Sequence, residues 1–124
     1  MRLLLDTQVM LWWLFDDPRL TANTRDLIRS HCCLVSVASV WEVAIKHRLG
    51  KLPVPPTLFR DHSLQAGASL LPVLDSHAIE TSRLPAVHED PFDRLMIAQA
   101  RLEGLMAVST DRHWPSYDVS LHRA

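Results

Sequence analysis

Short apolar runs alternate along this chain with longer stretches in which apolar residues recur every three or four positions. The short runs predict strands at residues 2–5, 32–36, 70–73 and 106–109, with a weaker fifth run at 119–121. The longer stretches predict helices over residues 7–14, 22–30, 40–49, 58–66, 76–83 and 92–103. Strands that alternate with helices in this way predict an α/β fold with a small, mainly parallel sheet.

Cap and stop residues set the ends of several predicted helices. Thr21 is a good N-cap for the second helix, and either Ser36 or Ser39 can cap the third. Gly50 and Gly104 follow the last apolar positions of two helices, which is typical of a helix C-terminus.

The composition indicates one compact domain over residues 1–124. With 124 residues and 48% hydrophobic residues, the chain can form a real core. The net charge of −1 argues against a passive nucleic-acid binder, which would need excess Lys and Arg. The adjacent Cys32 and Cys33 point to opposite faces of a strand, so we expect two buried free thiols and no disulfide. No signal peptide or membrane-length apolar run is visible, so we expect a cytoplasmic protein.

Four acidic residues stand where apolar runs end or border helices: Asp6, Glu42, Asp93 and Asp111. In a parallel sheet the carboxyl ends of the strands meet at one edge, where ligands bind. Carboxylates gathered there repel one another unless a hard divalent cation such as Mg²⁺ or Mn²⁺ binds them. Such an ion activates water and offsets charge on a phosphate. The pattern therefore points to a metal-dependent nuclease.

Each of these carboxylates also has an ordinary structural explanation. Asp6 fits an N-cap before an apolar helix. Glu42 fits either a capping box with Ser39 or an i,i+4 ion pair with Lys46, although it lies on an otherwise apolar turn. Asp111 fits a turn after a strand.

The segment Asp90-Pro91-Phe92-Asp93 contains two aspartates with different predicted roles. Proline suits the first helical position, which makes Asp90 the N-cap. Asp93 then lies in the first turn, where the helix dipole favours a negative charge. Both residues could merely compensate the dipole. We assign Asp93 as a metal ligand and Asp90 as a cap or outer contact.

The remaining polar residues give weaker signals. The seven histidines form no HxH or HExxH pair, which argues against a zinc site, and His113 is expected at the surface. The residues 46–51 include a small basic cluster that is typical of a solvated helix face. Lys46, and Arg112 beside His113, are nevertheless candidates for RNA contacts.

Four segments of the chain read LLLDTQVMLWWL, SVASVWEVAIKHRLGKL, HEDPFDRLMIAQA and AVSTD. They resemble the signature segments of PIN-domain proteins, above all the toxin ribonucleases of VapBC-type toxin–antitoxin pairs. The resemblance implies that the acidic positions of the family are Asp6, Glu42, Asp93 and Asp111, and that Thr110 is the polar residue before the last acid. The chain departs from the family at Gln8, where related sequences often carry His.

The resemblance implies an α/β/α sandwich and Mg²⁺- or Mn²⁺-dependent hydrolysis of RNA by metal-activated water. Asp6, Glu42 and Asp93 would hold the ion directly or through water, while Asp111 completes the cluster or orients water. The sequence does not distinguish a site with one ion from a site with two.

The resemblance also implies a cognate antitoxin. The helices that carry Trp12, Trp13 and Trp41 hold more large apolar groups than one small core can bury, which predicts a groove for a partner helix or for a homodimer. We expect one of Trp12 and Trp13 in the core and the other at an interface.

Three other functions remain open from the sequence. A phosphatase with Asp6 as nucleophile lacks the second acid that such enzymes carry two residues on, where Gln8 stands. A solitary RNA-processing PIN nuclease is a second alternative. A non-catalytic interaction module that binds metal only structurally is the third.

Overall fold

A computed structural model describes all 124 residues of the protein. The strands are β1 (Arg2–Leu5), β2 (Cys32–Ser36), β3 (Ser69–Leu71), β4 (Met106–Ser109) and β5 (Leu121–Arg123). The α-helices are α1 (Thr7–Leu14), α2 (Ala22–Ser30), α3 (Val37–Arg48), α4 (Pro56–Gln65), α5 (Asp75–Thr81) and α6 (Pro91–Glu103). A short 3₁₀ helix covers Trp114–Ser116.

The five strands form one sheet in the order β3-β2-β1-β4-β5, and every neighbouring pair is parallel. The predicted α/β fold with a small parallel sheet is therefore confirmed. The third strand lies one to two residues earlier than predicted and the fifth lies two residues later. Both are three-residue edge strands, for which periodicity gives little information.

The core lies on both faces of the sheet because the central strand β1 is apolar at every buried position. Leu3 and Leu5 face a cluster with residues of α1, α2 and α4. Leu4 faces a second cluster that contains Met96 and Ile97 of α6, together with the buried Trp114. A strand with apolar residues on both faces is typical of a sheet covered by helices on each side.

Local residue chemistry explains most helix ends. The side chains of Thr21 and Ser36 accept hydrogen bonds from the Thr24 and Ala38 N–H groups and cap α2 and α3. Gly104 ends α6 in the left-handed conformation, with φ of 64°, which a residue without Cβ adopts at little cost.

Only part of the apolar stripe predicted along α3 packs against the core, where Val40 is half-buried. Trp41 is 57% exposed, Leu49 is 58% exposed, and Ile45 is exposed as well. The helix instead buries Val43 together with smaller and polar residues. The apolar periodicity correctly predicted a helix, but most of the large apolar residues on this face are exposed to solvent.

Two further expectations need correction. Trp12 and Trp13 are both half-buried, so neither is a core residue, and each lies under an arginine side chain. Both cysteines are free, as predicted, but they are not both buried: Cys32 is exposed and Cys33 is half-buried. None of the helices has the length and apolar character needed to cross a membrane.

The order in which strands are added to the sheet switches sides between β1 and β4. From β1 the chain proceeds to β2 and β3 on one side, whereas β4 and β5 lie on the other. The Asp6 N–H donates to the Val108 carbonyl at 3.0 Å, so the ends of β1 and β4 stay together. Ligands of open α/β sheets bind at such a switch point, beyond the carboxyl ends of the strands.

Candidate functional site

A cleft of about 400 Å³ opens at the carboxyl end of the sheet. It brings together all four acidic residues predicted from the sequence, although they are up to 105 positions apart in the chain, from Asp6 to Asp111. The cleft is lined by Asp6, Thr7, Gln8, Leu11, Glu42, Lys46, Lys51, Leu52, Asp90, Asp93, Thr110 and Asp111. Arg112 is exposed and is not among these residues.

Asp6 lies at the junction of β1 and α1 and is almost fully buried, with 5% of its surface exposed. It is the N-cap of α1, as predicted, since its Oδ1 accepts from the Val9 N–H at 2.7 Å. The Ser109 hydroxyl donates to its other oxygen. Burial raises the pKa of Asp6 to about 6, against the effect of these hydrogen bonds, and the nearby Glu42 raises it further. Both oxygens accept one hydrogen bond, but capping and metal binding are compatible because each carboxylate oxygen has a second lone pair.

Glu42 points inward from α3 and is 6% exposed. Its Oε1 accepts from the Thr7 hydroxyl at 2.6 Å, and its Oε2 lies 2.7 Å from Lys46 Nζ. The i,i+4 ion pair is therefore present. The capping box with Ser39 was wrong, because α3 begins at Val37 and Ser39 lies inside the helix.

Asp90 and Asp93 occupy the first turn of α6 as the sequence predicts. The Asp90 Oδ1 accepts from the N–H groups of Phe92 and Asp93 at 2.9 and 3.2 Å, so Asp90 is the N-cap. Burial, followed by the charge of Asp90, raises the pKa of Asp93, and the carboxylates of Asp111 and Asp6 act in the same direction. A hydrogen bond to His88, at 2.8 Å, opposes that rise.

Asp111 lies in the loop after β4, held by a hydrogen bond from its own N–H to the Ser109 hydroxyl at 3.0 Å. Its Oδ1 accepts from the His113 N–H at 2.7 Å, which is the turn geometry that the sequence suggested. Its other oxygen faces His88 at 3.6 Å. Asp111 therefore forms a turn and also faces the acidic cluster.

The two histidines at this site were not predicted from the sequence. His88 contacts Asp93, and His113 contacts Asp111. His113 keeps 33% of its side chain exposed, so it lies at the surface as expected, but its contact with Asp111 was not predicted. The available signal was their spacing: His88 lies two residues before Asp90, and His113 lies two residues after Asp111. Ser109 was also missed, since nothing in a strand-end serine indicates a hydrogen bond to Asp6.

The donor set fits a hard divalent cation. The cleft contains five carboxylates and two lysines, and Lys46 is already paired with Glu42. Burial raises the pKa values of Asp6 and Asp93, and neighbouring carboxylates raise them further, so ionised carboxylates in this cleft are costly without a cation. An oxygen-binding cation such as Mg²⁺ or Mn²⁺ would supply the missing positive charge.

Comparison with known proteins identifies the family. The model of the PIN domain family matches residues 3–119, so the chain belongs to the PIN domain family. Among curated proteins, the chain is similar to ribonuclease VapC16 of Mycobacterium tuberculosis, with 39% identity over 69 residues. That match covers 48% of this chain and 49% of the relative, so it spans about half of the relative's length.

Solved structures share the fold across nearly the whole chain. The chain resembles VapBC2 from Rickettsia felis bound to a promoter DNA fragment, with a TM-score of 0.73, 12% identity and coverage of 99% of this chain and 98% of that one. DNA-bound VapBC from Salmonella typhimurium gives a TM-score of 0.71, 16% identity and the same coverage. FitAcB from Neisseria gonorrhoeae gives 0.68, 17% identity and coverage of 98% and 96%. At these identities the likeness concerns the fold, which is the predicted PIN-like α/β arrangement.

Proposed function

We propose that this protein is a Mg²⁺- or Mn²⁺-dependent endoribonuclease that acts as the toxin of a toxin–antitoxin pair, and that residues 1–124 form a single PIN-like domain. The observation that carries the proposal is the convergence of Asp6, Glu42, Asp93 and Asp111 on one cleft. Membership of the PIN domain family and the partial match to a ribonuclease add support.

In this proposal Asp6, Glu42 and Asp93 hold the cation, and Asp111 completes the cluster or orients water. When bound, the ion supplies an activated water and offsets charge on the phosphate. The protein contributes the placement of the carboxylates: Asp6 is fixed by α1 and Ser109, and Glu42 by the Thr7 hydroxyl.

Three further residues have supporting roles in the proposal. Asp90 caps α6 and so fixes the direction of the first turn, which carries the Asp93 side chain. Thr110 lines the cleft and its N–H stabilises the charge on Asp6. Lys46 lines the cleft and can turn from Glu42 to an RNA phosphate once a cation binds Glu42. Arg112 is exposed beside Asp111, and in this proposal it contacts the RNA outside the cleft.

The toxin assignment rests on the relatives and on one apolar surface. Among the solved structures that share the fold is a toxin–antitoxin complex from Klebsiella pneumoniae, with a TM-score of 0.58. In this chain the exposed face of α3 carries Trp41, whose ring packs edge-on against Phe92 at 4.9 Å, next to the exposed Ile45 and Leu49. An amphipathic helix of an antitoxin, or a second copy of this chain, would bury such a face. The antitoxin and the homodimer are both part of the proposal.

A matched pair of substitutions tests the assignment of the site. RNA cleavage is measured with Mg²⁺ or Mn²⁺ for the wild type, Asp93→Asn and Asp90→Asn. Asn is a good N-cap, so the Asp90 variant keeps helix α6, whereas the Asp93 variant loses a ligand charge. We expect the Asp93 change to reduce the cleavage rate by about a hundredfold or more, and the Asp90 change to have a much smaller effect. The reverse order would show that the two aspartates are assigned the wrong way round.

A further inference from the structure

One part of the cleft lining carries no acid. Asp90, Asp93 and Asp111 reach the cleft from α6 and from the loop after β4. Another part of the lining comes from α1 and from the segment that follows α3, and it consists of Gln8, Leu11, Lys51 and Leu52. We call these four residues the acid-free side of the cleft. No role in the proposed function falls on them.

The two segments that form the acid-free side are held against each other. The Thr7 hydroxyl donates to Glu42 Oε1 at 2.6 Å and so joins α1 to α3. Gln8 and Leu11 are three positions apart on α1 and are therefore neighbours on one face of that helix. Leu11 and Leu52 pack against the same core cluster. The acid-free side is thus one continuous surface that begins beside the carboxylates.

Backbone hydrogen bonds fix the turn that carries Lys51. The Lys51 N–H donates to the Lys46 carbonyl at 2.9 Å, and the Gly50 N–H donates to the His47 carbonyl at 3.0 Å. Gly50 has a φ of 72°, which a residue without Cβ adopts at little cost. His47 Nδ1 donates to the Leu52 carbonyl at 3.0 Å. The backbone of Lys51 is therefore held at the edge of the cleft before any ligand binds.

Both polar side chains of the acid-free side are exposed and have free hydrogen-bonding groups. Neither Gln8 nor Lys51 makes a side-chain hydrogen bond or an ion pair within the protein. Lys46, the other lysine of the cleft, is instead paired with Glu42 at 2.7 Å. The ammonium group of Lys51 offers three donors, and the amide of Gln8 offers both donors and an acceptor.

We propose that the acid-free side binds one nucleotide of the RNA, next to the phosphate that is cleaved. The proposal rests on the nuclease function proposed above. In it, Lys51 binds a phosphate of the backbone and Gln8 forms a hydrogen bond with the edge of the base. Leu11 and Leu52 contact the base, since an apolar floor with a few polar groups is typical of small-ligand sites. Single-stranded RNA presents unstacked bases to such contacts.

Electrostatics and size both favour this placement of the RNA. The five carboxylates of the cleft repel a phosphate backbone, and the net charge of −1 provides no general attraction to RNA. A strand that approaches the metal site therefore needs a cation that the acids do not already occupy, and Lys51 is that cation. Along the axis of α1, Leu11 lies about 7.5 Å from Asp6, a span that one nucleotide fills.

The salt dependence of RNA binding tests the contact of Lys51 with a phosphate. Binding of a short, fluorescently labelled single-stranded RNA is measured by anisotropy in a chelator, over a series of salt concentrations. Lys51→Gln is compared with Arg48→Gln, which loses the same charge from an exposed residue at the end of α3, outside the lining. We expect Lys51→Gln to reduce the slope of log K against log salt by about 0.7, and Arg48→Gln to leave it unchanged.

A neutral pair of variants tests the contact of Gln8 with the base. Gln8→Ala should weaken RNA binding by about two- to tenfold without changing the salt slope, because it removes a hydrogen bond but no charge. Gln65→Ala is the matched control, because Gln65 is exposed at the end of α4 and does not line the cleft. The control should bind RNA as tightly as the wild type.

NMR on the wild type removes any dependence on how the variants fold. The common ribonucleoside 5′-monophosphates are added in turn to the protein in a chelator. We expect the side-chain amide signal of Gln8 and the methyl signals of Leu11 and Leu52 to move, and the amide signal of Gln65 to stay in place.

Three results would overturn the proposal: equal salt slopes for the two charge variants, no movement of these signals with any nucleotide, or equal movement with inorganic phosphate alone. A wild type that binds nucleotides at these residues but shows no metal-dependent cleavage of RNA would instead contradict the nuclease function and leave the nucleotide site standing.

Discussion

Replacement of Asp6 by Asn is expected to make the metal-free protein more stable at neutral and alkaline pH. Asp6 is buried, and its pKa is raised to about 6 from the ordinary value of 3.8. A carboxyl with a raised pKa favours the folded state while it is protonated and opposes it once it ionises. The stability that Asp6 contributes is therefore fully present below about pH 3.8 and is lost as the pH rises through about 6.

The size of the effect follows from that pKa. Because one pKa unit corresponds to about 1.4 kcal/mol, the ionised Asp6 costs about 3 kcal/mol at pH 8 relative to the unfolded chain. Asn keeps the cap on α1 but weakens the hydrogen bond with Ser109, at a cost of about 1 kcal/mol. The variant should gain about 1–2 kcal/mol, which raises Tm by about 4–8 °C for a chain of this length.

The assay is thermal unfolding in the presence of a chelator at a series of pH values between 4 and 8. The stability gain of Asp6→Asn should be large at pH 8 and absent near pH 4, where the wild-type carboxyl is protonated. Asp26→Asn is the control, because Asp26 is an exposed aspartate on α2, and its replacement should change stability by less than about 0.5 kcal/mol at any pH.

Addition of Mg²⁺ should reverse the order of the two proteins. An ion that binds only the folded state stabilises the wild type by about 2.7 kcal/mol at a hundred times its Kd. Asp6→Asn should gain much less, because it has lost a ligand charge. A variant that is destabilised without metal at pH 8, or whose stability gain is the same at pH 4, would refute the electrostatic account of Asp6.

Two other predictions concern a neighbour of this carboxylate and the partner protein. Ser109→Ala removes the hydroxyl donor that lowers the pKa of Asp6, so the pKa of Asp6 should rise further. NMR titration of the aspartate carboxyl carbons measures this pKa, and an unchanged value would mean that Ser109 does not stabilise the ionised form. Co-expression with a small protein encoded next to this one should yield a stable complex with suppressed RNA cleavage, and Trp41→Ala should weaken that complex. A protein that is harmless alone and binds no such neighbour would favour a solitary RNA-processing nuclease.

Much of the fold follows from the sequence because its signals are local. The run Arg2–Leu5 followed by Asp6 gives a buried strand and a helix cap, and both are present. The Asp90-Pro91 pair similarly places the start of α6. The number of large apolar residues predicted that some of those near Trp41 lie outside the core, and Trp41 is exposed. Which residues of α3 are exposed did not follow, because periodicity identifies an apolar face but not what covers it.

The acidic cluster could be predicted from the sequence, whereas its histidine neighbours could not. Asp6, Asp93 and Asp111 are tied to strand or helix ends, so their positions follow once the sheet is known to be parallel. Glu42 lies in the middle of α3, and its only local signal was its place on an otherwise apolar turn. His88 lies in a loop whose path depends on hydrogen bonds from Arg94 to three backbone carbonyls of residues 81–85. Contacts of that kind join distant residues, and no local pattern encodes them.

The most direct test of the central claim is the rate of RNA cleavage by the wild type and by Asp6→Asn, each with Mn²⁺ or Mg²⁺ and again after chelation. The account predicts that the wild type cleaves RNA only with the metal present. It also predicts that the folded Asp6→Asn protein cleaves at least about a hundredfold more slowly. Full activity of Asp6→Asn, or wild-type cleavage that persists in the chelator, would contradict the proposed site.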